Sequence, residues 1–185
     1  MINYRPVLRL ILPLFVVYLA ATNAAAQTRE HLTPQEIDLV KDAQILDKRI
    51  DVFVHALERR LIVLNGTSAV NAKQLKKDAE RWGELPSGSR AELVSDLAQI
   101  LDEAITNIDD VSSRDERNPL IPKALRRLVQ AVNTVQSQLT PLKDQMKTEA
   151  EIASFELWTQ DAQSVLEAAK KLPPETTDKK TKVKQ

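Results

Sequence analysis

The stretch that decides the fold is IPKALRRLVQAVNTVQSQLTPLKDQM, residues 121–146. Ile121, Leu125, Leu128, Val132, Val135, Leu139, Leu142 and Met146 are apolar, and their spacing alternates between four and three. Residues so spaced share one face of an α-helix, whereas a half-buried strand alternates in twos. The stripe passes through Pro141 without losing phase. The spacing therefore predicts one helix from about Pro122 to Met146, kinked where the proline has no N–H to donate.

Working outward, the same signature recurs. Upstream, Thr33-Pro34-Gln35-Glu36 puts a hydroxyl at the N-cap, proline at the first helical position and Glu at the third. This is a capping box. Apolar residues then recur at Ile37, Val40, Ala43, Leu46, Ile50, Phe53, Leu57, Leu61 and Leu64. They predict a single helix over 34–64, a rod of about 46 Å. Asn65-Gly66 stops it, since glycine takes up the left-handed residue of a helix end. Ile45, Val52, Ile62 and Val63 widen its stripe and point to more than one neighbour.

Leu75, Ala79 and Trp82 mark a short helix over about 70–82 that would cover one end of the domain. Gly83 to Gly88 breaks it. Ser89-Arg90-Ala91-Glu92 is a second capping box, opening a helix to about Val111 on Leu93, Leu97, Ile100, Ala104 and Ile108. Ser112 to Pro119 is a charged turn. Past Met146 the phase jumps to Ile152, Phe155, Trp158, Ala162, Val165 and Ala169, and Thr148-Glu149-Ala150-Glu151 forms a third box at the jump. A tight reversal near Lys147 and a helix over 149–171 follow, ended by Pro173-Pro174.

Long amphipathic helices joined by short turns pack with their stripes inward. The expected fold is all-α, an antiparallel four-helix-bundle-like domain with one short extra helix, spanning 34–172. Three glycines and no cysteine are consistent with this, leaving packing to hold the fold. Residues 27–33 read as a flexible lead-in. Residues 173–185 read as a disordered Lys-rich tail with too little apolar surface to fold.

The N-terminus carries an address. Arg5 and Arg9 precede an apolar run from Leu10 to Ala21, then Thr22-Asn23-Ala24-Ala25-Ala26-Gln27. A positive start, a short apolar centre and small residues at the exit form a secretory signal peptide over 1–26. The apolar centre is shorter than the ~20 residues a membrane span needs. Ala24 and Ala26 suit the peptidase pockets, which places cleavage before Gln27. The absence of cysteine disfavours both a lipid anchor and a disulfide-stapled fold. The expected location is periplasmic or secreted.

A search for chemistry returns absences. Lys and Arg together number 26, as do Asp and Glu, so no basic excess marks a nucleic-acid binder. His31 lies in the lead-in. His55, four residues after Asp51 and four before Arg59, suits a solvated face. Neither follows Glu at the spacing of a di-iron site. Met146 sits at a core position of its stripe, so it packs and does not ligate haem. Asp47 with Asp51, Asp102-Glu103 and Asp109-Asp110 belong to wet helix faces balanced by nearby cations. No nucleophile motif or phosphate loop occurs. Asn65-Gly66-Thr67 matches a glycosylation acceptor, but a helix stop explains it. Lys179, Lys180, Lys182 and Lys184 offer at most a contact with an anionic surface. The expectation is therefore no catalytic, cofactor or metal residue, no nucleic acid and no small-molecule substrate.

Leu32-Thr33-Pro34-Gln35 resembles the Leu-Thr-x-x-Gln motif of the small helical periplasmic chaperones of the Spy and CpxP kind. Here Gln35 falls one place early and Glu36 takes its position. The resemblance covers four residues and implies a chaperone-like role as the alternative, and a metal- or cofactor-binding bundle with a site assembled from carboxylates is the third reading. The leading expectation is a non-enzymatic bacterial export that works through a protein partner or self-association at the cell envelope.

Overall fold

A computed structural model describes residues 29–66 and 72–172. The expected signal peptide with Ala24, Ala26 and Gln27, the expected tail from 173, and Thr67 of the glycosylation pattern lie outside the described residues. Among those described, every regular element is helical. The α-helices are α1 (Pro34–Asp42), α2 (Leu46–Leu64), α3 (Ala72–Trp82), α4 (Arg90–Arg114), α5 (Leu120–Leu139) and α6 (Glu149–Lys170), with a 3₁₀ segment at Thr140–Gln145 before α6. None of these helices is long and apolar enough to cross a membrane.

All three capping boxes form. Thr33, Ser89 and Thr148 each accept from the backbone N–H of the third helical residue, and Glu36, Glu92 and Glu151 each reach back to the cap. Each box satisfies backbone donors that a helix start otherwise leaves unpaired.

Two helix predictions need correction. The expected rod over 34–64 is broken at Ala43-Gln44-Ile45, where Ile45 takes an extended conformation (φ −98, ψ 132). Its carbonyls are met by side chains. Arg49 Nε donates to the Ala43 carbonyl at 2.9 Å, and Gln44 Nε2 donates to that of Lys41 at 2.6 Å. Arg49 Nη1 also donates to Asn107 Oδ1 on α4 at 3.1 Å, tying the break to the body. The break reverses the chain. In one straight helix Glu36 and Arg60 would stand about 36 Å apart, yet their side chains meet at 2.6 Å. The second correction concerns Pro141. The α-helix does not kink through it but ends at Leu139 and tightens into the 3₁₀ segment. The tighter winding keeps Leu142 against the core and Met146 buried, so the apolar phase survives the change of helix type.

The core is one apolar cluster. Phe53, Val54 and Leu57 of α2 meet Leu97 and Leu101 of α4, Leu128, Val132 and Leu139 of α5, and Trp158 and Val165 of α6. Each large apolar side chain so buried contributes roughly 1.5–3 kcal/mol. Four pairings close a ring, α2 on α4, α4 on α6, α6 on α5 and α5 on α2.

Direction is legible from cross-helix pairs. Asp47 meets Lys123, Asp51 meets Arg127 and Asn65 meets Gln138, so α2 and α5 run parallel. Arg90 meets Glu151 at the starts of α4 and α6. Arg60 faces Asp96 while Arg49 reaches Asn107, so α2 and α4 run antiparallel. The side-by-side pairs are thus mixed in direction, unlike the uniformly antiparallel expectation.

Candidate functional site

The most unusual chemistry lies where α1 and α3 meet α2. Arg59 and Arg60 are adjacent on α2 and sit at steps of three and four from Ala56, Leu57 and Val63, on faces turned inward. Both are fully buried, Arg59 at 0% and Arg60 at 1% exposure. Uncompensated charges there would be prohibitive, so each must be paired.

Glu36 supplies the first partner and is itself fully buried. Its Oε2 accepts from the Thr33 N–H at 2.9 Å, completing the capping box. Its Oε1 accepts from Arg60 Nη1 at 2.6 Å and lies 3.5 Å from Arg59 Nε. One carboxylate therefore starts α1 and fastens it to α2. Arg60 also donates through Nη1 to the Ala56 carbonyl at 3.1 Å and through Nη2 to that of His31 at 2.6 Å, while Asp96 of α4 stands 3.6 Å from its Nε.

Arg59 turns toward α3. Nη1 donates to the Trp82 carbonyl at 2.6 Å, and Nη2 donates to those of Gly83 and Glu84 at 3.1 and 2.5 Å. A guanidinium thus occupies the C-terminal end of α3, where unpaired carbonyls and the helix dipole both favour a cation. Gly83 is the left-handed residue there (φ +71), and a Cβ on it would come within 2.9 Å of the Gln35 side chain. Burial pushes the Arg59 guanidinium below its ordinary value, against the opposing pull of Glu36 and Asp78.

His55, one turn before Arg59, departs from the expected solvated face. Its ring lies 4.2 Å from the Trp82 ring, its Nδ1 is 3.2 Å from Glu58 and its Nε2 is 2.6 Å from Asp78 on α3. Burial pulls its pKa down, and Glu58 and Asp78 more than reverse that, leaving it above the usual imidazole value. His31, assigned to the lead-in, meets Glu103 at 2.8 Å, and neighbouring Leu32 is buried in the core.

Asp47 and Asp51, read as a wet face balanced by cations, lie together beside Lys123 and Arg127, with Asp47 buried. Asp47 is held below the ordinary carboxylate value by its hydrogen bond from Lys123, and Asp51 pairs with Arg127. Burial, and then the nearby charge of Asp102, push Asp161 above its ordinary value. Among the described residues no group of three or more His, Cys, Asp or Glu is placed to hold a metal ion. The buried cluster pairs its charges among α1, α2 and α4, while Arg59 Nε and Arg60 Nε make no hydrogen bond.

The second feature is apolar. Met146, Ile152 and Phe155 line an open groove of about 570 Å³ between the 3₁₀ segment and α6, edged by Lys143, Asp144 and Glu156. Lys143 Nζ stands 5.8 Å above the Phe155 ring. Ile152 is 44% exposed, and Leu157 on another face of α6 is 45% exposed. The stripe Ile152-Phe155-Trp158 reads as uniform core, yet only Trp158 is wholly inside. Nothing in the spacing distinguishes these three. Comparison with family models, with curated proteins and with solved structures found no match to this chain.

Proposed function

We propose that this chain is an exported, non-enzymatic helical protein that acts by contact with a macromolecule at the bacterial cell envelope, either a protein partner or a second copy. The four long helices serve as a four-helix-bundle-like frame, and residues 1–26 direct export to the periplasm or beyond. The observation that carries the reading is the groove at Met146, Ile152 and Phe155, an apolar surface left open beside a closed core. Large apolar side chains grouped at a surface and rimmed by charge are a feature of interaction sites.

The test is photo-crosslinking in intact cells from position 152 or 155, with exposed Gln99 on α4 as the reference position. Adducts from the groove positions alone, lost when Ile152→Glu is introduced beside a crosslinker at 155, support the reading. A monomer with no adduct from either groove position overturns it.

A further inference from the structure

We infer that α3 is a strap latched onto α2 by the charged form of His55, and that the latch releases as pH rises. The strap is weakly held by apolar contact. Trp82 is its only buried residue, and Ala72, Lys73, Gln74, Lys76 and Lys77 are all exposed. Helical segments with few buried apolar contacts open before the rest of a fold. Contacts that fasten α3 to α2 gather at its C-terminal half: Asp78 on His55 and 3.8 Å from Arg59 Nε, Trp82 against the His55 ring, and Arg59 on the last carbonyls.

The geometry sets the charge on His55. Both ring nitrogens face carboxylate oxygens, Nδ1 toward Glu58 and Nε2 toward Asp78. A neutral imidazole has one N–H, and its other nitrogen would present a lone pair to a carboxylate. The imidazolium alone donates at both positions. Loss of its proton leaves one N–H for two carboxylates, so the attraction of Asp78 on α3 to a positive charge is lost whichever nitrogen keeps the hydrogen.

The other charged groups around the ring are carboxylates and guanidinium groups. On α2 they are Asp51, Glu58 and Arg59. From α3 come Asp78 and Arg81, the latter 5.7 Å from the Trp82 ring. From α5, Arg127 faces Glu58 at 3.7 Å, and from α1, Glu36 acts through Arg59. Carboxylates and guanidinium groups keep their charge from mildly acid to alkaline pH, so histidine alone switches there. The folded state holds the proton more tightly than a free histidine, whose value is 6.5. The latch is thus complete below about that pH and is lost as pH rises through the higher folded value.

Release would lift Trp82 off the imidazole and uncover the guanidinium of Arg59. The device thus couples pH to exposure of an aromatic ring and a cation at one spot.

The experiment is hydrogen exchange of the full chain at about pH 6 and about pH 9, corrected for intrinsic rates, with NMR titration of His55 alongside. Protection of the 75–82 amides should fall about tenfold across the titration, the worth of one hydrogen bond to a charged group, while protection in α4 and α5 holds. His55→Gln should show the low protection at both pH values. Unchanged protection of 75–82 in the wild type while His55 loses its proton would overturn the latch, as would a loss spread equally over all helices. The wild-type series decides the matter even where a variant folds poorly.

Discussion

The end of α2 around Arg59 and Arg60 and the layer shared by α4, α5 and α6 are equally dry, yet they are filled by opposite chemistry. In the layer, Leu97, Leu101, Leu128, Val132 and Trp158 have no exposure and pack as hydrocarbon or indole. At the end of α2, Glu36, Arg59, Arg60 and Asp96 occupy equivalent depth as ions. Hydrocarbon packing is non-directional and tolerates many partners, so it holds long helices together without dictating where a short one lies. Ion pairs at depth contribute little net stability, because desolvation offsets attraction, but a misplaced partner leaves a bare charge. That asymmetry explains the division of labour. The long helices are held by area, and the positions of α1 and α3 are set by charge.

Breaking the ionic side should produce the largest and most localised effect. Glu36→Gln keeps the capping box, in which glutamine substitutes for glutamate, but removes the charge that meets Arg60. A loss of about 3–5 kcal/mol follows for the segment so fastened, read as hydrogen-exchange protection lost over 31–42 and 72–84. The apolar side should fail differently. Leu128→Ala opens a cavity in a fully buried site and costs about 2–5 kcal/mol. Because Leu128 serves the shared layer, its cost should appear as a lower urea midpoint with protection reduced across α2, α4, α5 and α6 together.

A more exposed ion pair sharpens the contrast. Arg90 and Glu151 join the starts of α4 and α6 at 2.7 Å. The Arg90 hydrogen bond, aided by the Lys147 N–H, lowers the Glu151 pKa from 4.5 to about 2. A depressed carboxylate stabilises above its unfolded value and loses that contribution as pH falls through the folded one. The difference in thermal midpoint between wild type and Glu151→Gln should therefore be constant above about pH 4.5 and close by about pH 2. The effect should be the smallest of the three.

The two regions also differ in how far the sequence discloses them. Helix starts were legible because the caps are local. Thr33, Ser89 and Thr148 each need only a Glu three residues on, and each box forms as spaced. The stripe over 121–146 disclosed a core face for the same reason, although its continuity hid the end of the α-helix at Leu139. The break at Ala43-Gln44-Ile45 was hidden for a related reason. Val40, Ala43 and Leu46 keep helical phase across it, and nothing nearby is glycine or proline. Across it a partner distant along the chain is met, the carboxylate of Glu36 returning to Arg60.

One signal did exist. Arg60 stands three residues after Leu57 and seven after Phe53, inside the apolar stripe, and a cation at a core phase calls for a buried anion. Which anion it would be depends on the reversal itself. The groove at Ile152 and Phe155 was illegible for a further reason, since spacing marks which face is apolar and not what covers it.

The central claim is that Glu36 and Arg60 hold the chain reversal as a pair. A double-mutant cycle with Glu36→Gln and Arg60→Met, read by protection of the α1 amides, tests it most directly. Each single change should cost about 3–5 kcal/mol. The double variant should cost less than their sum by about 2 kcal/mol or more, because removing both charges leaves neither stranded. Additivity within about 0.5 kcal/mol would contradict the account and leave the reversal to packing alone.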